Sequence, residues 1–248
     1  MNAAASQAWA PYCGAAPVPE DLLSRWNFDP VLLLALGIGA WLVWRAGRGS
    51  PRRQLGAAAL GVALVLFVSP FCALSSALFS ARVTHHVVLT AVLAPLLVYA
   101  LPEPRARWSR SLPLWTGLQA IVFWLWHAPT LYAEALSSDA VYWVMQASLL
   151  ATAMGFWAAL RRSSGPAAVG GLLVSTVQMG LLGALITFAG APLYAPHLFA
   201  TTPWGWSALE DQQLAGLIMW IPMGSLYLAA ALIVLARLLT RLERGGRV

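Results

Sequence analysis

Long apolar runs separated by short polar breaks make up nearly the whole chain. The runs cover roughly residues 31–46, 54–79, 83–101, 112–128, 138–160, 167–190 and 212–238, the first being short with a start as early as Asn27. Most approach or exceed the ~20 residues that a helix needs to cross a bilayer. They are too long and too continuous for membrane β-strands, which alternate over about ten residues. The pattern predicts an all-α, polytopic membrane protein with seven transmembrane helices. It divides the chain into a tail over residues 1–27, a helical domain over 28–240 and a basic tail over 241–248.

Composition agrees. The chain is 60% hydrophobic and 10% charged, whereas soluble domains carry about 25% charged residues. The breaks are too short to hold a soluble domain. The formal charge of +6 comes entirely from arginine, since the chain has no lysine. Arg45, Arg48, Arg52, Arg53, Arg105, Arg107, Arg110, Arg161, Arg162, Arg237, Arg241, Arg244 and Arg247 fall on one side of a seven-crossing chain. Only Arg25 and Arg82 fall on the other. The positive-inside rule then sets the N-terminus outside and the C-terminus in the cytoplasm. Seven of the nine acids lie outside (Glu20, Asp21, Asp29, Glu134, Asp139, Glu210 and Asp211), which supports the same count. The basic balance is a topology signal and implies no nucleic acid. The start MNAAASQAWA lacks a basic leader region, so a cleaved signal peptide is not expected. Tryptophans near the predicted interfaces form an aromatic belt.

All four histidines, His85, His86, His127 and His197, fall at or beyond the outer ends of the runs. Histidine is the commonest metal ligand, and gathering the whole supply on one face points to a site for a metal, a haem or protons. Arg82 and His86 are four apart and share a helix face. A guanidinium there favours neutral imidazole, the ligating form, and would equally anchor a carboxylate. His85 points about 100° away from His86. His127 ends its run at Trp124-Leu125-Trp126-His127-Ala128-Pro129, where it either bonds the free carbonyls of the helix end or meets His85 and His86 at matching depth. His197, in the loop Tyr194-Ala195-Pro196-His197, reads as an ordinary exposed histidine or a distant ligand.

Softer donors are Cys72 and Met219. Cys72 reads as a small core residue or a thiolate suited to Cu(I). Its depth below Cys13 argues against a disulfide unless the tail folds into the bundle. Met219 and Met223 share a helix face, as core filler or as thioether ligands. Gln146, Gln212 and Asp211, together with Arg82, are expected to form a hydrogen-bonding network or to meet a partner. There is no Walker loop, HExxH, CxxC or GxGxxG motif. No acid lies mid-membrane, which disfavours a proton-coupled pump. Without lysine the chain cannot form a retinal Schiff base. Nothing pairs a nucleophile with a base, so no enzyme is expected.

Several motifs resemble a known family. Ala77-Leu78-Phe79-Ser80-Ala81 is followed by His86, Leu89-Thr90 and Ala94-Pro95-Leu96-Leu97. Trp126-His127-Ala128-Pro129 precedes Tyr132 and Ala135-Leu136, and Asp211-Gln212-Gln213-Leu214-Ala215-Gly216-Leu217-Ile218-Met219-Trp220 comes near the end. In this order they resemble the CtaG family of cytochrome c oxidase assembly factors, the caa3-oxidase type, over nearly the whole chain from Asn27. The resemblance implies a seven-helix protein of the bacterial inner membrane needed for active haem-copper oxidase. Its implied partners are oxidase subunits and a periplasmic copper chaperone, and its implied role is copper insertion from the outer side. A structural chaperone or accessory subunit without metal is the alternative, and haem or quinone binding through His85, His86 and His127 a weaker third.

The family's third helix often reads His-Met-x-x-His. Arg82 and Val83 stand at its first two positions, and His86 keeps the last. A family histidine of the fifth helix aligns with Gln146. The resemblance therefore implies a thinner ligand set, with His85, Cys72 or Met219 as substitutes.

Overall fold

Proline and small capping residues punctuate the apolar runs into helices. The computed structural model describes residues 9, 11–45, 50–101 and 111–245, and every regular element among them is helical. We number the main helices α1 (Pro30–Arg45), α2 (Pro51–Phe67), α3 (Pro70–Ala77), α4 (Phe79–Ala100), α5 (Leu112–Trp126), α6 (Pro129–Ala135), α7 (Asp139–Leu160), α8 (Gly165–Thr187) and α9 (Ala208–Glu243). Arg48, Arg105, Arg107, Arg110 and Arg247 of the topology argument lie outside the described residues.

Four of these helices start on proline, whose missing N–H costs nothing in a first turn. Asp29 Oδ1 accepts from the N–H of Leu32 at 2.8 Å, and Ser69 Oγ accepts from that of Phe71 at 3.2 Å. Ser207 and Glu210 form a reciprocal capping box at the start of α9.

Helices α4, α7, α8 and α9 are long and apolar enough to cross a membrane. The α2–α3 pair makes a fifth candidate, bent by 46° where Ser69-Pro70 interrupts it. The first and fourth apolar runs are shorter than a span. Helix α1 has 16 residues and α5 has 15, each reaching only about 22–24 Å at 1.5 Å per residue.

Helix α4 occupies the middle. Its first half packs on α3 and the start of α9, and its second half on α2 and α7. Helix α8 packs along α9, and α5 against α7 and α8, while α1 leans on α2. Between α1 and the body opens an apolar groove of about 870 Å³, lined by Leu32, Leu36, Phe67, Leu97, Gln146 and Leu150 among others.

Helices α8 and α9 cross at glycine. A Cβ on Gly183 would lie 2.7 Å from the Gly216 carbonyl oxygen, and one on Gly216 would lie 2.6 Å from that of Gly183 and strike Thr187 Oγ1. Small residues let helices approach where lipid supplies no hydrophobic driving force.

Two π-helical turns interrupt the long rods, Leu89–Leu93 in α4 and Met219–Met223 in α9. Each is next to or contains a proline, Pro95 and Pro222 respectively. A proline ring collides with the carbonyl four residues back and supplies no N–H, and the wider turn relieves both.

Candidate functional site

Helix α4 opens without a side-chain cap of its own, because Leu78 holds that position. Asp211 of α9 supplies the cap. Its Oδ2 accepts the Phe79 N–H at 2.6 Å, and its Oδ1 accepts the Ser80 N–H at 3.3 Å together with the Ser80 hydroxyl. A carboxylate at a helix N-terminus satisfies free N–H groups and meets the positive end of the dipole. The first turn of α4 is thereby held against α9, and the next two turns carry Arg82, His85 and His86.

These three side chains and His127 form one buried cluster. The His86 ring lies 5.5 Å from that of His127 at 84°, and 5.9 Å from that of His85 at 82°, between centroids. His127 stands at the end of α5, where its Nδ1 lies 2.7 Å from the Phe123 carbonyl oxygen. A carbonyl only accepts, so Nδ1 carries the proton and Nε2 is a bare lone pair. That nitrogen has no partner among the described residues. Both nitrogens of His86 are likewise without one. The His85 ring stacks on Phe71 at 6.2 Å and meets Phe67 edge-on at 5.1 Å. His86 is thus the centre of the group, with His127 its better-oriented neighbour.

Arg82 is completely buried, at 0% exposure. Its Nε donates to the Ser75 carbonyl at 3.2 Å, and its guanidinium lies over the Tyr142 ring, 5.3 Å from the centroid. Nη1 and Nη2 make no close hydrogen bond among the described residues. Asp211 does not answer it, being engaged in capping α4.

His197 corrects the expectation of an exposed loop residue. It is 2% exposed. Its Nδ1 lies 3.0 Å from the Ala77 carbonyl oxygen and its Nε2 2.7 Å from the Tyr132 hydroxyl. The carbonyl fixes the proton on Nδ1, so the tyrosine donates to Nε2. Burial, together with the nearby Arg82 charge, lowers the His197 pKa to about 4. Both nitrogens are used, so His197 clamps the loop after α8 to α3 and α6 and takes no part in the ring group. Tyr194 stacks on Phe79 at 3.7 Å and its hydroxyl donates to the His127 carbonyl at 2.9 Å.

Cys72 also departs from expectation. It forms a disulfide with Cys13 across 59 residues, with the Cα atoms 5.4 Å apart. The depth argument against this bond assumed a free tail. The tail instead folds onto the bundle, with Tyr12 stacked on Tyr142 at 5.0 Å and the Trp204 indole N–H donating to the Pro17 carbonyl at 3.0 Å. In the disulfide Cys72 offers no thiolate.

Met219 is buried in the apolar core on the second π turn. Gln212 stitches the loop after α8: its Oε1 accepts from the Leu193 N–H at 2.6 Å, and its Nε2 donates to the Ile186 and Ala191 carbonyls at 3.3 and 3.4 Å. Gln146 borders the lateral groove beside Tyr142, with no close hydrogen bond to either amide atom among the described residues. Sequence reasoning missed Tyr132, Tyr142 and Tyr194 as builders of the site. Tyr132 lay within a quoted motif, and a pair of cysteines assigned to one side of the membrane was the available signal for the disulfide.

No set of three His, Cys, Asp or Glu side chains among the described residues is arranged to hold a metal ion. A pair of imidazoles with unpartnered nitrogens remains. Such a pair suits an ion that accepts low coordination, or a hydrogen-bond donor, and lacks the closed set of four ligands of a structural zinc site.

Residues 35–241 match the family described as cytochrome c oxidase caa3 assembly factor (Caa3_CtaG). No curated protein and no solved structure matches the chain.

Proposed function

The chain belongs to the cytochrome c oxidase caa3 assembly factor family, and from that premise we propose that it assists copper insertion into the oxidase from the outer face of a bacterial plasma membrane. A family role in assembly speaks for association with oxidase subunits. A periplasmic copper chaperone would supply the ion, and Cu(I) would be cargo in transit. We further read the chain as crossing the membrane seven times with the N-terminus outside. The four long helices, the bent α2–α3 pair and the two shorter apolar helices α1 and α5 support that count, and the arginine asymmetry supports the orientation.

The observation that carries the copper reading is the His86–His127 pair. The Phe123 carbonyl holds the His127 proton on Nδ1 and so presents Nε2 as a lone pair. A backbone carbonyl behind a ligating imidazole is the usual means of fixing its tautomer and orientation. His86 faces it from α4 with both nitrogens free. Two imidazoles bind Cu(I) with few bonds to break, which suits transfer better than storage. His85, whose ring lies 5.9 Å from that of His86, would be a third donor.

The test is a His86→Ala strain with protein abundance measured in parallel. Oxidase activity should fall at normal abundance, and added external copper should restore part of it by mass action. Normal activity at normal abundance would remove His86 from the function. A scaffold that only holds oxidase helices is the second reading, favoured by the absence of a three-ligand cage among the described residues. It predicts that activity tracks protein level and ignores copper.

A further inference from the structure

A guanidinium keeps its charge at any accessible pH, and one buried without a counter-charge carries a large desolvation penalty. Arg82 is in that position. It is fully buried, its two terminal nitrogens make no close hydrogen bond, and no carboxylate among the described residues forms an ion pair with it. The one buried acid among the described residues, Asp211, spends both oxygens on the α4 N-terminus. What surrounds the charge is polar but neutral. Tyr132 and Tyr142, whose hydroxyls interact with the guanidinium, and His85, His86 and His197 all lie within its electrostatic reach. The Ser76 hydroxyl, next to the carbonyl that Nε engages, is buried and unpartnered as well.

We propose that Arg82 is the seat of a small-anion site, taking a monovalent halide or a carboxylate on its Nη1 and Nη2 beside the His86–His127 pair. The planar fork offers two parallel N–H groups, a match for a carboxylate and sufficient for a halide. The anion removes the cost of the lone buried charge. Resting on the copper reading, it also explains how a cation enters the same low-dielectric pocket as an arginine. With the arginine neutralised by the anion, an incoming ion no longer meets an uncompensated like charge at short range.

The test uses the purified full-length protein in detergent, free of copper, with chloride or formate titrated against gluconate at constant ionic strength. The wild-type Tm should rise saturably by several degrees with chloride, with formate, or with both. A response to both assigns a free anion. A response to formate alone assigns a carboxylate, including one carried by a partner side chain. Arg82→Gln should abolish the dependence, and Arg237→Gln, on the exposed end of α9, should retain it. Should Arg82→Gln not fold, isothermal titration of bromide into the wild-type protein decides the matter, one saturable site being the expected result. A wild-type Tm indifferent to both anions, or a dependence that survives Arg82→Gln, overturns the proposal. Failure of the copper reading is separate. Anion binding with no copper retained leaves this site standing, and copper retained without any anion dependence removes it alone.

Discussion

The carboxylate of Asp211 accepts the backbone N–H of Phe79 at 2.6 Å across 132 residues of chain. The start of one central helix is thus completed by a side chain from the last one. Asp211→Ala should leave two buried N–H groups and the Ser80 hydroxyl without an acceptor. Unmet buried donors cost about 1–3 kcal/mol each, so Tm should fall by several degrees. Asp211→Asn keeps one acceptor oxygen and should fall less. A Tm unchanged in Asp211→Ala would mean that α4 does not depend on this cap.

His86 and His127 should be joinable. With cysteine at both positions and the native disulfide intact, a short bifunctional thiol reagent should link them in high yield within membranes. The ring separation of 5.5 Å motivates the expectation. Pairing His86 with position 197 in the same way should give little product, because the His197 ring is held between Ala77 and Tyr132. Equal yields for both pairs would contradict the arrangement.

The disulfide predicts that alkylation of the unfolded but unreduced protein labels no cysteine. Closing a loop of 59 residues stabilises by about 4 kcal/mol in the chain-entropy account. Cys13→Ser should therefore lower Tm markedly and expose Cys72 to alkylating reagents on denaturation. Two reactive thiols in protein isolated without reductant would disprove the bond.

Acid should loosen the loop after α8. His197 has a pKa of about 4 when folded against an ordinary value of 6.5. Above 6.5 it is neutral in both states and gives no pH dependence. As pH falls from 6.5 towards 4 the unfolded chain takes up a proton that the folded one refuses, so stability declines. A single such group contributes a slope of up to about 1.4 kcal/mol per pH unit. His197→Asn should have a lower Tm at neutral pH and a shallower decline over that window. Parallel Tm-against-pH curves for the two proteins would show that His197 does not titrate in this way.

Sequence pattern and structure agree where the information is periodic or coarse. The apolar runs became helical rods, and the histidines at the ends of the third and fourth runs, His86 and His127, did meet. Both follow from hydrophobicity and from the adjacency of consecutive helices. What escaped was long-range and specific. His197 reads as exposed because a loop histidine usually is, and nothing nearby in sequence announces that Ala77 and Tyr132 will bury it. Cys72 reads as isolated because depth was measured along straight rods with a free tail. Tyr12 and Pro17 fold that tail onto the bundle, and the Ser69-Pro70 bend reshapes the rod. The apolar run continues past Trp126, where α5 ends, because Pro129 begins a new helix.

The wide turn at Leu89–Leu93 gives the length of α4 a meaning separate from its composition. A π turn holds one residue more than an α turn. Above it lie Arg82, His85 and His86; below it lies an apolar half packed on α2 and α7. Trp157 fastens the turn through the Thr90 carbonyl at 2.9 Å. Deleting one residue from the wide turn would leave an ordinary turn and nearly preserve the facing of the two halves, whereas deleting one from the regular helix beside it would rotate the upper half by about 100° relative to the lower. In the second case the same side chains would all be present, but the His86 imidazole would no longer face His127. The wide turn is thus the one place in the rod where the loss of a codon could be taken up without re-aiming the histidine.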